Sequence, residues 1–419
     1  MTWKLCLSLL LAVLLALPAV ACGAKPNSAG KTTYPAAAIT TPEQADTINS
    51  LKRLNEEGTF YQMDYTADYD LDGLLEADVA NLEGLMGWVQ STLLSADAKA
   101  AKGNMGSGCS AFAGINADGE LIFARNYDYV QNAQNILVHC NPKDGYESAS
   151  LAAGGWLYTN DADGNFVTLD DGKTDLSMLV AAPYLLMDGM NEKGVVMCVL
   201  TLDGSGTVQN EPGRHSIQTT TAMRLVLDRA ASVPEAIELL KQYNMKASIS
   251  VKNFHFFIAD AAGNYGIIEY SPEGEMRYSA NERGDCCNLL SAPEADFDQR
   301  FVTNFYCLFP SAEYRFDDGQ HGLDRYEVLQ REMENARGHF TEEEAMTVLG
   351  EVYQDFGATA THETQWSVVY NPTKMTAKIC PRVVQTDLKD AFYATAYEFD
   401  FMAEFKDSGT ITHTVSHHD

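Results

Sequence analysis

An α+β fold, with antiparallel sheets covered by helices, is what this sequence predicts. Three observations carry that expectation. Strand-like runs come in pairs around tight turn signals, as in "CSAFAGINADGELIFARNYDY" (109–129) and "NFHFFIADAAGNYGIIEYS" (253–271), so they read as hairpins. Two helical patterns, "TTTAMRLVLDRAA" and "PEAIELLKQY", follow one another between strand groups, which is not the regular alternation of a parallel βαβ sheet. With 419 residues and no internal repeat, the chain is long enough to bury a large core.

Taken in order, residues 1–21 read as an export signal: Lys4, an apolar run from Leu5 to about Val20, then small residues. Two endings are open. Ala19-Val20-Ala21 suits ordinary cleavage, while Cys22 after two small residues resembles a bacterial lipobox, with the cysteine lipidated. Residues 22–42 then read as a polar tether, and 43–108 as a helical leader. Its first helix starts at Thr41-Pro42-Glu43-Gln44, a capped start with a capping box, and runs to near Gly58. "TFYQMDYTADYD" is strand-like, and apolar spacing from about Leu74 to Leu94 predicts an amphipathic helix. The flexible "SADAKAAKGNMGSG" marks a boundary, and 109–419 reads as the catalytic body.

Within that body come the first hairpin, a strand at "GVVMCVLTL", the helix pair with Ser232 as a cap, and the second hairpin turning at "AAGN". A helix at "TEEEAMTVLGEVYQ" precedes late strands at "TQWSVVYNP" and "MTAKICPRV", and "HTVSHHD" reads as a frayed tail.

Composition narrows function. Fifty-eight Asp+Glu against 29 Lys+Arg, formally -29, repel phosphate backbones, so no nucleic acid is expected as a partner. The nine histidines are scattered, without His-Glu-x-x-His or repeated Cys-x-x-Cys, so no metal and no cofactor are expected. Apart from Cys6 and Cys22, seven cysteines remain, an odd number that leaves at least one unpaired.

Cys109 stands out because it follows "GNMGSG". A thiol attacks as thiolate and needs a base or a nearby positive charge. No histidine lies close in sequence, although the fold could bring one. A cut just before Cys109 supplies another base, since a free α-amino group ordinarily titrates at about 7.7 to 8.0. The glycines would give the loose backbone that self-cleavage needs. If Asp118 and Gly119 form a two-residue turn, Cys109 faces Asp128; a turn shifted by one residue puts Asp128 two positions away. Strand alternation then sends Arg125 to the other face unless a bulge or the end of the strand intervenes.

"GCSAFAGINADGELIFARNYDY" resembles the start of the mature chain in choloylglycine hydrolases and related linear amide hydrolases, an N-terminal-nucleophile group that includes penicillin V acylase and acid ceramidase. Arg125 and Asp128 stand at the family's offsets from the cysteine. "GMNEKGVVMCVL", "FHFFIADAAGNYGIIEY", "VTNFY" and "GLDRYEVL" resemble later family elements in the same order. The long segment before the cysteine is more like acid ceramidase than the bile salt hydrolases.

The resemblance implies an αββα four-layer sandwich: two stacked antiparallel sheets between helices. It implies Cys109 as nucleophile and, through its amino group, as base; Asp128 holding that amino group; Arg125 against the sulfur; Asn304 donating to the oxyanion; and Arg325 bracing the site. Thr201 stands where bile salt hydrolases often place asparagine, so the second oxyanion donor would be a backbone N–H. The activity implied is hydrolysis of a linear, non-peptide amide in an N-acylated small molecule. The apolar acyl pocket is a further expectation from the resemblance. The alternatives are a ligand-binding surface lipoprotein with an inert cysteine, or an acyltransferase. The implied partners are that small molecule and the membrane through a lipid anchor at Cys22, with a homo-oligomer left open; the protein would be a cell-surface lipoprotein or secreted. Of the remaining polar candidates, Asn191 reads as a turn residue before Gly194 and His255 as a satisfied core histidine. Trp366 packs the core or lines the pocket.

Overall fold

The computed structural model describes residues 32–95, 108–129, 134–158, 166–282, 285–290, 300–309, 321–355, 363–382, 393, 395–401 and 413–417. The export signal and Cys22 lie outside these residues, as do residues 23–31 of the tether and residues 96–107 of the boundary.

Two large sheets face each other. The strands that position the site are β3 (Cys109–Ile115), β4 (Leu121–Tyr129), β7 (Leu186–Asn191), β8 (Val196–Asp203), β11 (Lys252–Ala259), β12 (Tyr265–Tyr270), β15 (Phe301–Val302) and β16 (Glu363–Asn371). Among the described residues one sheet has ten strands, in the order β1 (Lys52–Arg53), β2 (Phe60–Tyr65), β5 (Asn135–Cys140), β6 (Ser148–Ala153), β7, β8, β11, β12, β13 (Met276–Glu282) and β14 (Asp285–Leu290), and the other seven, in the order β15, β3, β4, β16, β17 (Thr376–Pro381), β18 (Thr395–Asp400) and β19 (His413–His417). Between the sheets lies one apolar core, in which Phe123 of β4 stacks on Phe257 of β11 at 5.2 Å. A second core joins the outer face of the ten-stranded sheet to its helices, including α4 (Thr219–Arg229) and α5 (Val233–Leu240). Helices α6 (Leu323–Asn335) and α7 (Glu342–Glu351) cover the seven-stranded sheet. The layering is helix, sheet, sheet, helix, as expected. Among the described residues no helix is long and apolar enough to cross a membrane.

Helix α1 (Pro42–Asn49) begins with the expected capping box: the Thr41 hydroxyl accepts from Gln44 N–H at 3.2 Å, and the Gln44 amide oxygen accepts from Thr41 N–H at 3.3 Å. It stops at Asn49 rather than near Gly58. The Ser50 hydroxyl lies 2.6 Å from Thr47 O, to which it donates, and 3.0 Å from Asp64 O, and the next residues pair as β1 (Lys52–Arg53) with β2 (Phe60–Tyr65). The predicted helix from Leu74 to Leu94 is broken into α2 (Leu71–Glu76) and α3 (Leu82–Thr92). Asp78 takes a positive φ of 57° between them, and Asn81 caps the second piece. The leader is therefore helical in part, and it also adds β1 and β2 to the large sheet, with β2 running parallel to β5 (Asn135–Cys140).

Part of the expected tether is docked. Ala38 is buried with its N–H on the Ser177 hydroxyl at 2.9 Å, and Ile39 bridges Leu94. At the other end, residues 413–417 of the expected frayed tail form β19, paired with β18 (Thr395–Asp400) along five residues. Backbone pairing with an open sheet edge there outweighs the freedom of a chain end.

Candidate active site

The first hairpin decides where Cys109 points. Its turn is longer than two residues: Asn116 N–H donates to Glu120 O at 2.9 Å, Gly119 N–H returns to Asn116 O at 2.9 Å, and Gly119 has φ 75°. Three residues thus form the loop, with glycine at the left-handed position that a β-branched or bulky residue resists. The register moves by one relative to the two-residue expectation. Cys109 faces Tyr127, and Asp128 lies opposite Gly108, donating its N–H to Gly108 O at 3.0 Å.

A slip of one residue exchanges the two faces of a strand. Arg125, two residues from Tyr127, shares the face of Cys109 between the sheets, contrary to the alternation argument. Its Nη2 donates to Cys109 Sγ at 3.2 Å and to Val199 O at 3.2 Å. Nη1 bonds Met187 O at 2.6 Å and the Asp188 carboxylate at 2.5 Å, and the guanidinium lies 5.0 Å from the Tyr127 ring. Asp128 instead faces the helix layer, where Thr364 Oγ1 donates to Oδ1 at 2.7 Å and Gln354 Nε2 donates to Oδ2.

Asn304 and Arg325 complete the group. Asn304 follows β15, the strand that pairs with β3, and its Oδ1 accepts from Cys109 N–H at 2.9 Å. Its Nδ2 donates to Thr201 O at 2.7 Å, so Thr201 enters the site through its backbone carbonyl. Arg325, in the first turn of α6, donates to Cys109 O, to the Ser110 hydroxyl at 2.8 Å and to Asn304 Oδ1 at 2.7 Å, and lies 3.8 Å from Asp128 Oδ2. The structure thus brings together Cys109, Arg125, Asp128, Asn304, Arg325 and Thr201. One expected contact is exchanged: the Cys109 nitrogen is held by Asn304, while Asp128 holds Gly108 through its backbone.

The thiol is 1 % exposed. Burial pushes its pKa above the ordinary cysteine value; Arg125 pulls it down and Asp128 pushes it up, and the balance stays raised. For Arg125 burial works against the charge, yet the Cys109 thiol and Asp188 beside it raise its pKa on balance. The arrangement therefore offers a fixed cation to an incoming thiolate but leaves the thiol in need of a proton acceptor. Cys109 opens onto a narrow cavity of about 60 Å³, walled by Tyr127, Tyr129, Trp156, Met187 and Phe254 among others. Trp156 and residues 247–249 also border a larger groove of about 1080 Å³, whose far wall is α3.

Three further residues support the site. Asp188 receives Trp366 Nε1 at 2.9 Å and the Tyr370 hydroxyl at 2.6 Å in addition to Arg125. A lone acid in the apolar run "LLMDGM" was its signal. Gln354 and Thr364 carry none, being common polar residues beyond a loop. Trp366 is a fully buried core residue, and Asn191 makes the turn expected of it, its Oδ1 accepting from Lys193 N–H at 3.1 Å and Val195 N–H at 3.0 Å. His255, Glu269 and Cys307 offer metal-type ligand atoms within 4.8 Å of one another, but both His255 nitrogens and both Glu269 oxygens already have protein partners. Cys109, Cys140, Cys198, Cys307 and Cys380 carry no disulfide.

Comparison with known proteins gives a family match and structural likenesses. The family of linear amide C–N hydrolases, choloylglycine hydrolase family, matches residues 109–331, just over half of the chain. Among solved structures the chain is similar to two variants of a conjugated bile acid hydrolase from Clostridium perfringens. One has TM-score 0.46 and 17% identity, covering 73% of this chain and 96% of that one; the other has TM-score 0.44 and 18% identity, covering 74% and 97%. It is also similar to penicillin V acylase from Agrobacterium tumefaciens, with TM-score 0.40 and 15% identity, covering 70% and 91%. No curated protein matches the chain.

Proposed function

This chain belongs to the choloylglycine hydrolase family of linear amide C–N hydrolases, and on that premise we propose that it is an exported amidase that cuts itself before Cys109 and then hydrolyses N-acylated small molecules. The observation that carries the reading is the placement of one thiol. Cys109 Sγ faces a cavity 3.2 Å from a buried guanidinium, while the nitrogen of the same residue is held by Asn304.

In the first step Sγ attacks the Gly108 carbonyl carbon, the C–N bond breaks as its nitrogen takes the thiol proton, and a thioester forms. The Asp128 N–H on Gly108 O would stabilise the negative oxygen. Water then adds to the thioester, leaving a Gly108 carboxylate, the thiol and a free α-amino group on Cys109. That amine meets the need for a proton acceptor. In turnover it takes the thiol proton, Sγ attacks the substrate amide, and the proton passes to the departing amine. Water releases the acid from the acyl-enzyme thioester. An amide side chain carries two N–H groups, so Asn304 keeps one for the oxyanion beside its bond to Thr201. A positioned donor of this kind is typically worth about 3 to 4 kcal/mol of barrier.

The aromatic wall of the inner cavity supports an apolar acyl group, and the wall it shares with the outer groove at Trp156 and residues 247–249 supports one that extends past Trp156 toward α3. The leader would remain with the cut body, because Phe60, Tyr61 and Met63 of β2 are fully buried and the Tyr65 and Tyr69 hydroxyls reach Val180 O and Asp228, both at 2.8 Å. The amino-terminal apolar run and Cys22 support export, with either a lipid anchor or release.

The test is intact-mass measurement of the exported protein, followed by a panel of taurine and glycine bile conjugates, N-acyl amino acids and penicillin V. A chain beginning at Cys109 that releases amine from at least one substrate is the expected result. A cut protein without turnover would favour a ligand-binding lipoprotein, and new amide formed with an added amine acceptor would favour an acyltransferase. Uncut protein that still hydrolyses amides would reject self-processing.

A further inference from the structure

His255 and Glu269 are directly cross-strand neighbours on β11 and β12, and both are 0 % exposed. Their bonds converge on one short stretch of chain. His255 Nδ1 lies 2.9 Å from Glu269 Oε1, and its Nε2 lies 2.9 Å from Thr303 O. Glu269 Oε1 accepts from Cys307 N–H at 2.7 Å, and Oε2 accepts from Leu308 N–H at 2.7 Å. Thr303 and Leu308 bracket Asn304.

The hydrogen-bond inventory fixes one proton. A backbone carbonyl can only accept, so Nε2 carries a proton and donates to Thr303 O. Glu269 accepts from two backbone N–H groups, one on each oxygen, and shares a further proton with Nδ1 through Oε1. Both ring nitrogens and both carboxyl oxygens are thereby engaged, inside a core where an unpaired polar group is costly.

We propose that His255 and Glu269 form a hydrogen-bonded positioning pair that holds the segment 303–308 and thereby aims the Asn304 amide at Cys109. This rests on the reading of Asn304 and Cys109 given above. The pair touches no reacting atom. Its grip is transmitted along the backbone, and the Thr303 hydroxyl extends it by donating to Gly322 O at 3.0 Å, next to the helix that carries Arg325. Arg325 in turn holds Asn304 Oδ1 at 2.7 Å. Loosening the pair therefore shifts the amide that meets the oxyanion, an effect on the chemical step rather than on substrate capture.

The experiment uses the full-length protein after export, with two independent readouts. In protein labelled with 15N-histidine, one histidine, assigned by its loss in His255→Gln, shows a slowly exchanging Nε2–H proton at neutral pH. A ring without a protected Nε2–H overturns the pair. In kinetics on the same substrate, Glu269→Gln and His255→Gln lower kcat by roughly 10²-fold with KM within about twofold, while Glu269→Asp recovers part of kcat. Folded variants with lower melting temperatures but unchanged kcat would show a purely structural role and reject the proposal. Should the wild type itself prove uncut and inactive, the functional reading fails, whereas the histidine spectrum still decides whether the pair exists.

Discussion

Two buried arginines in this molecule look alike and are placed differently. Arg125 and Arg224 are both fully buried, each holds an aspartate at 2.5 Å, and each lies over a tyrosine ring, 5.0 Å from Tyr127 and 5.6 Å from Tyr69. Each also has a buried cysteine close by. Around Arg125 the thiol receives an N–H at 3.2 Å and borders a cavity. Around Arg224 the second contact goes to the Ser148 hydroxyl at 2.6 Å, Tyr69 of the leader closes the aspartate, and burial pushes the Cys140 thiol up to about 12. A buried ion pair is thus weak evidence of chemistry by itself. What separates the two is an N–H aimed at sulfur and an empty space beside it.

The largest test of this contrast exchanges the cysteines. Cys109→Ala should abolish both the cut and turnover, a loss of roughly 10⁴-fold or more, whereas Cys140→Ala should leave kcat/KM within about twofold; intact mass and amine release measure both. Next come the arginines. Arg125→Met and Arg224→Met should each destabilise by about 3 to 5 kcal/mol in denaturant titrations, because each strands a buried carboxylate. Only Arg125→Met should also lower kcat/KM of the folded fraction, by roughly 10²-fold. Equal kinetic effects would erase the distinction.

A smaller effect concerns the bond proposed to be cut. A Cβ on Gly108 would stand 2.6 Å from Gln354 Nε2 and 3.3 Å from Asp128 Oδ2, so Gly108→Ala should slow self-cleavage about tenfold, followed as loss of full-length chain over time. The smallest separates the thiols by pH. Both pKa values are raised in the uncut chain, so thiolate at either site grows only as pH climbs above the usual cysteine range. Iodoacetamide at pH 8, read by peptide mapping, should modify Cys109 once the cut supplies its amine and leave Cys140 unmodified.

Much of the fold was legible because it is written locally. Thr41 with Gln44, Ser232 with Glu235 and Thr341 with Glu344 mark helix starts that the structure keeps, and Gly263 turns the second hairpin at the expected place. The site was legible as a list of residues but not as a geometry. Whether Gly119 closes a two- or three-residue loop is a difference of one residue, both readings suit "NADG", and the choice decides which of Arg125 and Asp128 meets the sulfur. Asp188 is marked only as a lone acid in an apolar run, and Gln354 and Thr364 bond Asp128 from 226 and 236 residues away, distances at which an ordinary Gln or Thr carries no local signature.

The parallel strand β2 has one more consequence. Strand β5, whose six residues are all buried, shows one backbone edge to β6 and the other only to β2. Stripped of the leader, that edge would present unpaired amides and carbonyls flanked by apolar side chains, a template for misassembly with other chains. The segment ahead of Cys109 is therefore a guard against clumping as much as a piece of architecture, and a preparation that loses it should precipitate before it loses its helices.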